Sequence, residues 1–279
     1  MPLATMLLVL LGAVGRVDAA RAADDVSAWD GDARSTARLI AGAPPPAQGA
    51  PLRAGIEIKL GRGWHTYWRY PGDAGVPPRF DFAGSQNLKS VEVLWPAPRR
   101  LSEAGLDTIG YDRGVILPLR VTPQDQAKPV TLRVRLDYAV CEKLCVPAEA
   151  NAELALAGGR ASQDTALATA EARVPRKIAL GEGQAFAIRT VAREDGPGRP
   201  RILVDVAAPA GAAVDLFAEG PSPQWSLPVP VAVDGAADGL KRFMFELDGA
   251  PPDTKYEGAL LSLTAVVDGD AIEVPIHLD

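Results

Sequence analysis

Apolar and polar positions alternate with a period of two through much of the chain. Leu52, Ala54, Ile56, Ile58 and Leu60 interleave with Arg53, Gly55, Glu57 and Lys59, and Leu132, Val134, Leu136, Tyr138 and Val140 with Arg133, Arg135, Asp137 and Ala139. Successive strand side chains point to opposite faces, so each stretch predicts a strand with one buried face. Shorter runs predict strands at 35–40, 79–82, 91–95 and 115–121, then at 186–191, 202–206, 214–218, 243–247, 260–267 and 272–278. Residues 101–112 read as an irregular, glycine-containing insertion. The one helix-like stretch, 162–173, follows Gly158-Gly159 and is stopped by Pro175. Short strands separated by turns, without alternating helices, predict an all-β chain of antiparallel sandwiches. The expected division is 24–157, a linker with a short helix over 158–183, and a second β unit over 184–279.

Composition agrees with strands and turns: the 279 residues include 27 Gly and 25 Pro, and only 6% are aromatic. The formal charge of −6, without basic blocks, excludes nucleic acid as a partner on electrostatic grounds. Residues 3–14 are an apolar run too short to span a bilayer comfortably, followed by small residues with the cleavage-like pattern Ala20-x-Ala22. Residues 1–23 therefore read as a secretory signal. No other stretch is long enough for a membrane span, so the expected product is soluble and periplasmic, in an oxidising compartment.

The only two cysteines lie in Val140-Cys141-Glu142-Lys143-Leu144-Cys145-Val146-Pro147. The alternation places Cys141 on the outward set, and Glu142-Lys143-Leu144 reads as a hairpin tip with a cysteine on each arm. Directly opposed strand residues have Cα atoms about 4.5–5.5 Å apart, within reach of a disulfide. Such a bond is either a staple or a site of exchange. Chain entropy over so short a loop is worth only about 2 kcal/mol, which weakens the staple, while an exposed tip suits attack by a visiting thiolate. The spacing alone leaves both readings open. Upstream, the aromatic strand Trp64-His65-Thr66-Tyr67-Trp68 puts Trp64, Thr66 and Trp68 on one face and His65 and Tyr67 on the other, a pattern that usually means packing. One histidine and two distant cysteines make a poor metal site. No phosphate loop or nucleophile elbow is present, and no cofactor or metal is expected. In the second unit, Trp225 in a proline-rich loop reads as a plug on the sandwich edge.

Four ordered motifs carry a family resemblance. These are Gly63-Trp64-His65-Thr66-Tyr67-Trp68 with Pro71-Gly72-Asp73-Ala74-Gly75, then Trp95-Pro96-Ala97-Pro98-Arg99, Gly110-Tyr111 before Val115-Ile116-Leu117-Pro118-Leu119, and the cysteine stretch. Together they resemble the periplasmic N-terminal domain of the DsbD/ScsB thiol:disulfide reductases, over about residues 35–157. The resemblance implies immunoglobulin-like sandwiches and a redox-active pair, Cys141 and Cys145, with Cys145 forming the mixed disulfides. It implies electron transfer from a membrane-embedded thiol donor to oxidised periplasmic proteins. Because the sequence stops after its second β unit, that donor is expected on a separate chain. Better-known relatives shield the disulfide with an aromatic cap loop. The corresponding stretch here, 103–108, has no aromatic residue, so Leu106 or Tyr111 is expected to substitute, with Trp64, His65, Tyr67 and Asp73 shaping the site. The alternatives are an immunoglobulin-like adaptor or chaperone with a structural disulfide, and a Cu(I) carrier using both thiolates.

Overall fold

A computed structural model describes residues 24–279, apart from 48, 104, 196, 197 and 253. The stretch 1–23, read as a secretory signal, lies outside the described residues. The first part of the chain forms β1 (Asp30–Gly31), β2 (Ser35–Ala41), β3 (Leu52–Leu60), β4 (His65–Gly72), β5 (Arg79–Asp81), β6 (Leu88–Val93), β7 (Arg99–Glu103), β8 (Leu106–Tyr111), β9 (Val115–Pro123), β10 (Val130–Cys141) and β11 (Cys145–Leu156). One antiparallel sheet runs β1-β2-β3-β9-β6, and the other β11-β10-β4-β8-β7 with β5 on β10. The inward set of each alternating stretch forms the core between them. Leu39, Ile56, Leu117 and Leu119 from one sheet are buried in one cluster with Trp68, Ile109, Leu132 and Leu136 from the other. Burying such a side chain is worth about 1.5–3 kcal/mol, so these pairings set the register. Tyr138 and Ser35 close one end through a buried hydroxyl pair at 2.7 Å.

The stretch 101–112, expected to be irregular, is the β7–β8 hairpin, with Gly105 at φ +84° in its turn. Its alternation is hidden by Ser102, Thr108 and Gly110, whose backbones pair whatever their side chains prefer.

The helix, α1 (Asp164–Ala172), is docked on the first sandwich and is not a free spacer. Leu167 is fully buried, and a Cβ at Gly42 would stand 2.7 Å from its Cδ2, so the missing side chain makes room for the helix. Arg53 donates to Asp164 at 2.6 Å and to Glu171 at 2.7 Å, and Arg120 also donates to Glu171.

After α1 come β12 (Arg176–Lys177), β13 (Ala187–Glu194), β14 (Arg201–Ala207), β15 (Val214–Glu219), β16 (Val231–Val233), β17 (Leu240–Glu246), β18 (Leu260–Val267) and β19 (Asp270–His277). They pair as β12-β19-β18-β15 and β13-β14-β17-β16, antiparallel except for β12 on β19. Ile202, Val204 and Phe245 share a core with Leu216, Leu263 and Val274. Trp225 is buried edge-on to Tyr256, with centroids 6.1 Å apart, as the plug reading expects. The two sandwiches share apolar contacts, since Phe217 and Val229 are buried in the first core cluster.

Burial pushes the Glu171 carboxyl up, but the hydrogen bonds from Arg53 and Arg120 outweigh it and hold its pKa below 4.5. A depressed carboxylate contributes stability above its unfolded pKa, and that contribution is lost as pH falls through the folded value. Glu171→Gln is therefore expected to lower stability by about 1 kcal/mol at neutral pH. The deficit should shrink as pH falls through the depressed folded pKa of Glu171, where the wild-type carboxyl also becomes neutral. Denaturant midpoints of both proteins at neutral pH and along an acid series check this.

Candidate redox site

Strands β10 and β11 stay in register from Val130 opposite Leu156 to Cys141 opposite Cys145. The hairpin reading of the sequence thus holds, and the cysteines form a disulfide with Cα atoms 4.1 Å apart. On its other edge β10 meets β4, where Val140 faces Thr66 and Cys141 faces His65. Cys141 therefore sits on an inner strand and Cys145 on the edge strand. Their exposures differ accordingly. Cys141 is 2% exposed, whereas Cys145 is open to solvent.

Cys141 does lie on the outward set, but there the outer face is covered. Ala139 and Cys141 form a small buried cluster with Tyr67, separate from the main core. The Tyr67 Oη lies 2.6 Å from Cys141 Sγ and 3.0 Å from Cys145 Sγ. Disulfide sulfurs carry no hydrogen, so the hydroxyl is the donor to both. Thr66 Oγ1 donates to the Ala139 carbonyl at 2.9 Å, tying β4 to β10 beside the bond. His65 is buried and stands edge-on to Tyr67, with ring centroids 5.5 Å apart.

The turn after β4 seals the other side of the Tyr67 ring. A Cβ at Gly75, φ +128°, would come within 2.5 Å of Tyr67 Cε1, so only glycine lets this turn lie against the ring. Asp73 holds the turn to β8: its N–H donates to the Asp107 carbonyl at 2.9 Å, and its Oδ2 accepts from the Asp107 N–H at 3.2 Å. Next to Cys145 in the chain, Leu144 is 74% exposed, and Val76, which follows Gly75, is 53% exposed.

Of the residues expected to shape the site, Tyr67 and His65 meet the cysteines and Asp73 holds the covering turn. Tyr111 is a core residue whose hydroxyl donates to the Pro96 carbonyl at 2.8 Å, and burial pushes its phenol pKa up. Trp64 is half-buried against the first core. Leu106 lies exposed near the β7–β8 tip, beyond the Gly72 end of β4, while Cys141 faces the opposite end of that strand. The cover over the disulfide is thus a β4 side chain and its following turn. Ala139 and Gly75 also belong to the site. Gly75 ends the motif over residues 71–75, and only the fold shows what it packs against. A cavity of about 760 Å³ between α1 and the two sandwiches includes Tyr111 in its lining but neither cysteine.

An antiparallel sandwich with a disulfide across a hairpin end, one sulfur buried and one open, has a geometry suited to thiol–disulfide exchange. Comparison with known families agrees: residues 38–157 match the model described as thiol:disulfide interchange protein DsbD, N-terminal. The match supports reading this part of the chain as a DsbD-type N-terminal domain. The fold is also similar to the crystal structure of the N-terminal periplasmic domain of ScsB from Proteus mirabilis. The TM-score is 0.70 at 19% identity, over 91% of this chain and 98% of that one. No curated protein matches the chain.

Gly75→Ala is expected to cost about 1–3 kcal/mol, because strain at positive φ adds to the clash with Tyr67. Gly105→Ala, also at positive φ but with nothing near its missing Cβ, should cost only about 1 kcal/mol. Thermal or denaturant melts of the two variants give the comparison.

Proposed function

We propose that the protein is a periplasmic thiol–disulfide exchange protein that takes electrons from a membrane-embedded thiol donor and passes them to oxidised periplasmic proteins. The supporting observation is the asymmetry of the pair: Cys145 is open to solvent while Cys141 is buried under the Tyr67 hydroxyl. An attacking thiolate reaches only the Cys145 sulfur, and the Cys141 sulfur is the leaving group.

In the loading half-reaction a donor thiolate attacks Cys145 Sγ. A mixed disulfide forms, and the bond to Cys141 breaks with its electron pair on Cys141. The Tyr67 O–H, already aimed at that sulfur, donates to the new thiolate and lowers its cost. The donor's second thiolate then attacks the donor sulfur of the mixed disulfide, and Cys145 leaves and takes up a proton. The donor departs as a disulfide, having given two electrons, and this protein holds a Cys145 thiol and a Cys141 thiolate that accepts the Tyr67 hydrogen bond or takes a second proton from solvent.

Discharge runs the other way. The Cys145 thiolate attacks a client disulfide, and one client sulfur leaves. The Cys141 thiolate then attacks Cys145 Sγ, which restores the internal bond and releases the client as a dithiol. Leu144, exposed and next to Cys145 in the chain, supplies apolar surface for a partner to dock against.

Two measurements test this reading. The reduction potential of the Cys141–Cys145 couple is expected within about −120 to −270 mV, the range of catalytic couples, whereas a value below about −300 mV would mark a structural bond. Cys141→Ser, which leaves the open sulfur free, should accumulate mixed disulfides with partner proteins. Cys145→Ser, which leaves only the buried one, should accumulate far fewer. Equal trapping by both variants would overturn the assignment of Cys145 as the exchanging sulfur.

A further inference from the structure

Strand β4 is paired with its neighbours only in part. Thr66 and Tyr67 pair with Tyr111 and Gly110 of β8, but the register then breaks and resumes at Gly72 opposite Thr108. Residues 68–71 therefore lack the ladder that would fix a strand, although they follow directly on Tyr67. What they have in its place comes from the second sandwich. The Trp68 ring packs against Phe217 of β15 at 6.0 Å, and the Tyr70 hydroxyl donates to the Leu227 carbonyl in the loop between β15 and β16. Gly72 is so close to Val229 of the same loop that an added Cβ would lie 3.0 Å from Val229 Cγ2.

The strongest of these ties is ionic. Arg69 forks onto Glu219 of β15, with Nε at 2.8 Å and Nη2 at 2.7 Å, and its Nη2 also reaches Glu273 of β19 at 2.5 Å. Its guanidinium lies 4.5 Å from the centroid of the Trp68 ring. Both glutamates are largely buried, with side chains 15% and 13% exposed. A bidentate arginine in a low-dielectric contact fixes direction as well as distance. It also ties the segment after Tyr67 to two strands of the other sheet pair at once.

We infer that the second sandwich is the fixture for the disulfide's cover, and that Arg69, held by Glu219 and Glu273, is a positioning residue that keeps Tyr67 over Cys141. The inference rests on the exchange reading for its biological meaning, but the physical link from Arg69 to the exposure of the bond stands apart from it. It gives the second sandwich a role in the chemistry, although that sandwich has no cysteine of its own. Loosening the clamp lets β4 move at its unpaired segment, lifts Tyr67 from the sulfurs and opens the bond to attack.

The test uses the full chain and dithiothreitol as the probe thiol. The rate of opening of the Cys141–Cys145 bond is measured for wild type, Glu273→Gln, Glu219→Gln and Arg69→Lys, each also in a Tyr67→Ala background. Glu273→Gln keeps the fork to Glu219 and is the variant most certain to fold. A control, Asp205→Asn, removes the charge and one of the two oxygens that accept a similar fork from Arg242 elsewhere on the second sandwich. The expected result is opening about threefold or more faster in the clamp variants, wild-type rates in the control, and no further gain from the clamp variants once Tyr67 is alanine. Wild-type rates in all clamp variants would overturn the inference, as would the same acceleration with and without Tyr67. A reduction potential in the range of structural disulfides would sink the exchange reading while leaving this coupling to stand or fall on the rates alone.

Discussion

The cover over one sulfur depends on the contact between the Tyr67 hydroxyl and the disulfide at the end of β10. An inner strand ordinarily ends with one face against the core and the other in water. Here the outer face is closed at its last turns, because β4 pairs with β10 only at Val140 and Cys141 and brings His65 and Tyr67 over that end. The consequence is an unequal pair of sulfurs joined by one bond. A symmetric hairpin in solvent would expose both, and exchange would have no preferred direction of attack.

Keeping a tyrosine in that position requires support from every side. Thr66 ties β4 to the Ala139 carbonyl, and the Gly75 turn presses on the ring from outside. Asp73 anchors that turn to β8. Where the β4–β8 ladder is interrupted, contacts from the second sandwich take over. Burial opposes the charge on Arg69, but the Glu219 and Glu273 carboxylates outweigh that penalty and raise its pKa above the ordinary guanidinium value. A buried cation shared by two acids adds little net stability compared with apolar packing, but it is unforgiving of geometry. That suits a contact whose use is alignment.

The two sandwiches and α1 accordingly behave as parts of one packed body. Phe217 and Val229 enter the first core, and Arg100 reaches the Asp215 carboxylate and the Pro230 carbonyl across the same junction. The helix closes the outer face of β3 and β9 through Arg53, Arg120 and Glu171. A stretch that reads as a linker by composition is held there by side chains distant from it in sequence.

Period-two alternation was enough to place most strands, the antiparallel class and the opposed cysteines, because side-chain direction in a strand is a local property that burial then enforces. The ordered motifs carried the family for the same reason, since they are written in consecutive residues. The β7–β8 hairpin escaped detection because its pairing is made by backbone groups that polar side chains disguise. The cap was expected near Leu106 or Tyr111, with Tyr67 among the shaping residues, and only the packed structure assigned the cover to Tyr67. The burial of Cys141, the use of Gly75 and the clamp on Arg69 are likewise decisions of tertiary structure. Each depends on which distant strand lies beside a residue, and alternation along one strand reports which face a side chain takes but not what will cover that face.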